Sequence, residues 1–396
     1  MSLNDTPRSN RIHIGFYGKR NSGKSSLINA LTGQSIAIVS DTPGTTTDPV
    51  YKSMEIHGIG PCVLIDTAGF DDIGELGRLR VEKTEGAAMK TDIAVLMFSD
   101  EDMEQEIKWF KLFKGRKIPV VCVISRSDMV NNVHKLKELV HKNTGVQPIL
   151  VSIKDKASVE GLREILVRSL PEDYDLKSIT GELVREGDLV LLVMPQDIQA
   201  PKGRLILPQV QTIRELLDKK CLVVSATTDK LEEALNSLVK PPKLIITDSQ
   251  VFKQVYEKKP KESLLTSFSV LFAGLKGDIS YYIQGAEEIS KLTEDSRVLI
   301  AECCTHAPLS EDIGREKIPA MLRKRIGQGL RIDLVSGTDF PKDLRGYDLI
   351  IQCGACMFNR RYVMSRIEQA REQHVPMTNY GVAIACLTGI LDKITF

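Results

Sequence analysis

The sequence predicts an α/β protein in three domains, and three observations carry that reading. Short apolar runs alternate with amphipathic helical stretches along most of the chain. A glycine-rich G-x-x-x-x-G-K-S turn joins the first apolar run to the first helix. Cysteines near the C-terminus stand where later apolar runs end. At roughly 150 residues per domain, 396 residues allow two or three cores, and the pattern divides them as 1–172, 188–257 and 264–396.

In the first domain Ile12–Tyr17, Cys62–Ile65, Ile93–Phe98, Val120–Ile124 and Pro148–Val151 read as short buried strands, with helices such as Lys24–Leu31 and Glu104–Phe113 between them. That alternation implies a parallel sheet covered on both faces. Residues 173–188 lack periodicity and read as a linker. The second domain has strands at 189–195, 221–226 and 243–248, with helices near 208–219, 229–239 and 249–257. A charged, proline-containing break at 257–262 closes it. The third has strands near 297–301, 332–335 and 348–352, and helices near 279–291, 360–373 and 382–392.

Composition narrows the function classes. Lys plus Arg number 53 and Asp plus Glu 52, a formal net charge of +1 that argues against a polybasic nucleic-acid binder. No apolar run reaches the roughly 18 residues of a membrane span, and the N-terminus has no apolar signal core, so a cytoplasmic protein is expected. Eight cysteines are too sparse for a disulfide scaffold, and their clustering favours metal ligation.

The turn Gly18–Ser25 is a phosphate-binding loop. Backbone N–H groups at Gly18, Asn21, Ser22 and Gly23 can turn toward phosphate oxygens, and the helix N-terminus through Ser26 adds partial positive charge. Lys24 reaches the β- and γ-phosphates, and Ser25 ligates Mg²⁺. Asp66-Thr67-Ala68-Gly69 supplies a carboxylate that acts on the metal through water and an N–H at Gly69 that senses the γ-phosphate. Thr46, with Thr45 as second choice, would close a switch segment on Mg²⁺. Ser125-Arg126-Ser127-Asp128 stands where GTPases usually carry N-K-x-D. Asp128 keeps the acceptor for a guanine edge; Ser125 loses the amide that ties loops together, and Arg126 can lie over the base. Ser152-Ile153-Lys154 resembles the loop that backs the guanine O6, so GTP is favoured over ATP. Phe70 stands where Ras-like GTPases place a water-orienting Gln. Asn21, with the loop at 37–46, resembles the TrmE-type GTPases, in which K⁺ supplies transition-state charge.

Cys304-Thr305-His306 and Cys353-Gly354-Ala355-Cys356 each follow an expected strand, where α/β sheets place ligand sites. Cys304, Cys353 and Cys356, with His306 as a possible fourth, suit a [4Fe–4S] cluster, and zinc is the alternative. Gly354 would let the loop turn tightly. Cys303 is a rival for Cys304, since neighbours in a strand face opposite ways. Cys62, Cys122, Cys221 and Cys386 read as core.

The segments GKRNSGKSS, SDTPGTTTDP, DTAGFDD, CTHAPLSEDIGREKIP, CGACMFNRR and PMTNYGVAIA resemble the HydF family of [FeFe]-hydrogenase maturation GTPases over nearly the whole chain. The resemblance implies a P-loop GTPase domain, a small α/β dimerisation domain and an α/β iron–sulfur domain. It implies a homodimer that receives a di-iron precursor made with the radical maturases HydE and HydG and delivers it to apo-hydrogenase HydA. The family usually reads H-C-x-x-C; here Gln352 stands in place of that His. The first domain alone also fits a TrmE- or Era-like GTPase acting on RNA, and a zinc-stapled interaction switch is a third reading.

Overall fold

The structure, a computed structural model, describes residues 10–32, 49–70, 75–128, 132–171, 178–195, 205–303, 312–355 and 358–396. The chain forms two compact units, residues 1–175 and 176–396.

The first unit runs β1 (Ile12–Gly18), α1 (Lys24–Thr32), β2 (Val50–Ile56), β3 (Gly60–Asp66), α2 (Glu75–Ala88), β4 (Ile93–Phe98), α3 (Glu104–Gly115), β5 (Val120–Ser125), α4 (Val133–Thr144), β6 (Ile149–Val151) and α5 (Lys156–Arg168). Its sheet order is β2-β3-β1-β4-β5-β6. β1, β4 and β5 alternate between two cores, as a two-residue side-chain period requires, and Val63 and Ile65 of β3 form a third small cluster with Ala87. Ile12, Ile14, Phe16, Val95 and Met97 pack with Leu27, Leu31, Leu162 and Leu166 of α1 and α5. Tyr17, Leu96, Phe98 and Ile124 pack with Trp109, Phe113 and Val140 of α3 and α4. The expected sheet needs one correction: β2, absent from the sequence reading, pairs antiparallel with β3 from Val50↔Asp66 to Ile56↔Gly60. Its half-exposed residues and Lys and Glu side chains hide it from an apolar-run criterion.

The second unit holds two four-stranded parallel sheets. It continues with β7 (Leu189–Val193), α6 (Leu207–Asp218), β8 (Leu222–Ala226), α7 (Leu231–Asn236), β9 (Leu244–Thr247), α8 (Phe252–Lys258), β10 (Leu264–Ser267), α9 (Phe268–Lys276), α10 (Ile279–Glu287), β11 (Arg297–Ala301), α11 (Ile318–Ile326), β12 (Arg331–Val335), β13 (Leu349–Gln352), α12 (Arg360–Glu372), β14 (Met377–Asn379) and α13 (Tyr380–Leu387). The orders are β10-β9-β7-β8 and β12-β11-β13-β14.

The second sheet runs past the break at 257–262, because β10 pairs with β9 from Leu264↔Leu244 to Ser267↔Thr247. The strand is only four residues long, too short to stand out by pattern. The Thr395 N–H donates to the Leu265 carbonyl (2.8 Å), so the C-terminal tail occupies the outer side of β10. One continuous apolar core includes Leu191, Ile245 and Leu265 of the second sheet with Val298, Ile300 and Ile350 of the third. Cys62, Cys122 and Cys221 are buried as expected, and Cys386 is half-buried.

Candidate functional sites

Gly18 ends β1 and Lys24 opens α1, so the phosphate loop spans the sheet's C-terminal edge, where β1 lies between β3 and β4. Its curl requires left-handed backbone at Gly18 (φ 157°), Asn21 (φ 58°) and Gly23 (φ 90°). A Cβ at Gly18 would stand 2.8 Å from Ser22 Oγ and 2.9 Å from the Met97 carbonyl, so only glycine fits. Lys24 Nζ donates to the carbonyls of Gly18 (2.9 Å) and Lys19 (2.7 Å), which holds the ammonium over the loop.

Ser25 Oγ donates to Asp66 Oδ2 at 2.6 Å, which brings the two expected metal-side groups together. The other carboxylate oxygen, Asp66 Oδ1, is buried without a hydrogen-bond partner. Burial pushes the Asp66 carboxyl up, against the pull of Ser25, Lys24 and Lys52. Thr67 Oγ1 donates to the Phe16 carbonyl (2.6 Å) and so fixes the segment after β3 to β1, with Gly69 buried beyond it. Thr46 and Thr45 lie outside the described residues.

The base-side loops converge on a shallow concavity lined by Gly23, Ser26, Leu27, Ser125, Arg126, Val151 and Ile153. Asp128 accepts from Ser152 Oγ (2.9 Å) and pairs with Lys154 Nζ (2.9 Å). Lys154 and Ser152 hold its carboxyl below the usual range. The loss of the tie at Ser125 is corrected: its hydroxyl donates to the Ser22 carbonyl at 2.6 Å and joins this loop to the phosphate loop. Phe70 is buried and stacks on Trp109 (centroids 5.8 Å, 17° between planes), so its ring belongs to the core and orients no water.

Sequence reading missed an anchor of the phosphate loop. Lys19 Nζ pairs with Asp100 (3.0 Å) and Asp102 (3.2 Å) in the loop after β4. Burial opposes its charge, but the two carboxylates hold the ammonium protonated above its ordinary value. Beneath them Glu106 is buried, and burial pushes its carboxyl up to about 7. Only Glu106's place on the stripe Glu106, Trp109, Phe110, Phe113 marked it in the sequence.

In the third sheet Cys353 directly follows β13, and its Sγ accepts from the backbone N–H of Cys303 (3.0 Å) and of Ala355 (3.5 Å). Two backbone amides thus fix the position of this sulfur at the end of the strand. Cys303 Sγ accepts from Arg366 Nη1 at 3.1 Å. Cys304, His306 and Cys356 lie outside the described residues. The expected turn at Gly354 is relocated: the left-handed residue is Ala355 (φ 48°), and a Cβ at Gly354 would meet nothing within 4 Å. Lys276 Nζ, buried at the end of α9, donates to the carbonyls of Ala355 (3.1 Å) and Phe358 (3.0 Å) and pins the loop on both sides.

Gln352 is buried; its Nε2 donates to Tyr282 Oη (3.3 Å), while its Oε1 has no partner. Tyr380 Oη is likewise buried without a partner. Burial, then the nearby Cys353 and Glu302, push its phenol up. Among the described residues no group of three or more His, Cys, Asp or Glu is gathered in metal-binding geometry.

A phosphate loop closed by Lys24, with Ser25 and Asp66 joined beneath it, defines the first unit as a P-loop GTPase domain. Residues 13–126 match the family model described as a 50S ribosome-binding GTPase. Residues 179–277 match the hydrogen maturase F dimerization domain and 280–395 its tetramerization domain. The chain belongs to the hydrogen maturase F family.

Curated relatives include the tRNA modification GTPase MnmE of Endomicrobium trichonymphae, 36% identical over 149 residues (34% of this chain, 32% of that protein). The MnmE of Nitrosomonas europaea is 30% identical over 189 residues (47% of this chain, 41% of that protein). The chain thus matches 32% and 41% of the length of these two relatives. Among solved structures, Era in complex with MgGDPNP and a segment of 16S ribosomal RNA is 19% identical, with a TM-score of 0.37, covering 54% of this chain and 91% of that one. None of the described helices is long and apolar enough to cross a membrane.

Proposed function

We propose that this protein is a GTP-hydrolysing carrier in [FeFe]-hydrogenase maturation. It binds a [4Fe–4S] cluster on Cys304, Cys353 and Cys356, with His306 as a possible fourth ligand, and passes a di-iron precursor to apo-hydrogenase. The observation that carries the reading is the Cys353 sulfur, held by two backbone amides at the end of a strand in a hydrogen maturase F domain. The orphaned Gln352 Oε1 and Tyr380 Oη are further polar groups close to that loop, suited to a polar guest.

In the GTPase domain, Lys24 exchanges two carbonyls for phosphate oxygens when nucleotide binds, and its charge offsets that of the β- and γ-phosphates. Ser25 and Thr46 would hold Mg²⁺ directly and Asp66, now hydrogen-bonded to Ser25, would act on it through water. Asp128, with Ser152 and Lys154 already against it, reads the guanine edge. Phe70 orients no water, and Asn21 would hold a K⁺ that would supply positive charge at the transition state. The cluster, when bound, supplies redox-active iron with one exchangeable site. The chain acts as a homodimer with HydE, HydG and HydA as partners, in the cytoplasm and without nucleic acid.

The test is anaerobic expression and reconstitution. Brown protein with iron and sulfide, loss of that iron in Cys353→Ala with GTP hydrolysis intact, and activation of apo-hydrogenase by the wild type are expected. A colourless zinc protein overturns the cluster reading. Lys24→Ala should abolish hydrolysis, and Asn21→Ala should remove a K⁺ stimulation; equal rates in Na⁺ and K⁺ overturn the potassium role.

A further inference from the structure

Arg366 lies in the middle of α12 and is fully buried. Its guanidinium sits between the rings of Phe340 (4.6 Å to the centroid) and Tyr362 (4.8 Å). Nη1 donates to Cys303 Sγ (3.1 Å), and Nη2 donates to the Gly337 carbonyl (2.7 Å) and to Tyr362 Oη (3.1 Å). Nε is buried and has no acceptor.

Among the described residues no carboxylate pairs with this cation, whereas other arginines of the same unit have one. Arg315 pairs with Glu302, Arg371 with Asp278 and Arg297 with Asp333, and all three are partly exposed. A guanidinium taken wholly out of water without a counter-ion is destabilising, so its retention calls for an anion nearby. Asp339 acts on Tyr362 without pairing with Arg366, and one guanidinium N–H is aimed at sulfur. Arg366 touches Cys303 Sγ, and the N–H of Cys303 touches Cys353 Sγ.

We infer that Arg366 is the internal counter-charge of the anionic cluster at the cysteine loop, acting through Cys303 as a positioning residue. The inference rests on the reading that Cys353 ligates an iron–sulfur cluster. A fixed positive charge there offsets the negative charge of the cluster and favours its more negative, reduced form. Cys303 in turn serves as the relay that spaces the cation from the iron, a role separate from ligation.

The test uses the full chain, apo and anaerobically reconstituted with iron and sulfide, as wild type, Arg366→Met and Arg366→Lys. Removing the charge should move the midpoint potential, followed by electron paramagnetic resonance, to a more negative value, and should speed loss of iron to a chelator several-fold. Arg366→Lys should restore most of both. The melting temperature of Arg366→Met should fall more in the loaded protein than in the apo protein, since only the loaded form contains the anion. Equal falls in both forms, misfolding of the apo variant, or a wild-type potential at full iron content would each overturn the inference and leave Arg366 a packing residue. If the wild type takes up no iron and sulfide, the reading of the site itself fails, before any variant is compared.

Discussion

Ser125 and Ser22 are 103 residues apart, yet the Ser125 hydroxyl donates a 2.6 Å hydrogen bond to the Ser22 carbonyl. The bond fastens the base-side loop to the phosphate loop, so the two halves of the nucleotide site are held as one piece. Ser22 is completely buried and Ser125 nearly so, which removes water as a substitute partner.

Ser125→Ala should therefore weaken GTP and GDP binding together, several-fold, by loosening the loops and not by losing a base contact. The loss corresponds to about 1 kcal/mol for one buried hydrogen bond. Titration with a fluorescent guanine nucleotide checks it. A fall confined to GTP would mean that Ser125 acts on the γ-phosphate side instead.

Phe70 stacks on Trp109, and Trp109 stacks on Tyr17 (5.5 Å, 22°). Installing a Gln at this position to imitate Ras-like GTPases should not accelerate hydrolysis. Phe70→Gln removes an aromatic contact and buries an amide, so stability should fall by on the order of 3 kcal/mol. Thermal unfolding beside single-turnover hydrolysis decides the matter, and a faster, equally stable variant would show that the position faces the nucleotide.

Glu106 gives the first unit a pH dependence of definite sign. Burial raises its carboxyl to about 7, while Lys19 pulls it down and Asp100 and Asp102 push it up. The unfolded chain releases this proton near pH 4–5, whereas the folded protein keeps it until about 7. The folded state therefore binds more protons across that window, and stability falls as pH rises through it. Glu106→Gln should be more stable than the wild type at pH 8, by on the order of 1–3 kcal/mol, and the gain should shrink toward pH 5. Denaturant unfolding at the two pH values measures this, and a gain independent of pH would locate the effect in packing.

The parts of the molecule legible in the sequence are those whose signal is local. The phosphate loop declares itself because its glycines, Lys24 and Ser25 are contiguous, and the central strands because every residue of Ile93–Phe98 is buried. β2 escapes because one of its faces is solvated, and β10 because it is four residues long. The ties from Ser125 to Ser22 and from Lys19 to Asp100 join loops far apart in sequence, so no spacing rule reveals them. Arg366 and Glu106 left a fainter mark. Each is a charged residue at a buried position of a helix stripe, with Val363, Ile367 and Ala370 around the first and Trp109, Phe110 and Phe113 around the second.

The open edge of the second sheet leads to the last prediction. The outer side of β10 is occupied by the chain's own C-terminal tail through Thr395. At the other edge, no strand among the described residues pairs with the outer side of β8, and Leu222 on that strand is 58% exposed. Leu217, in the last turn of α6, is 55% exposed. An unpaired strand with apolar side chains is a template for a second strand, and a twofold axis lets two copies of one edge satisfy each other. Residues 179–277, which contain this sheet, match the hydrogen maturase F dimerization domain. Leu222→Lys adds a charge that both copies would bring to the shared edge, and it removes apolar area without touching the core. The variant should dissociate to a smaller species at concentrations where the wild type stays associated, seen by light scattering, while its melting temperature and GTP hydrolysis remain those of the wild type. Association that persists unchanged in Leu222→Lys, and also in Val224→Lys on the same strand, would place the contact on another surface of this unit.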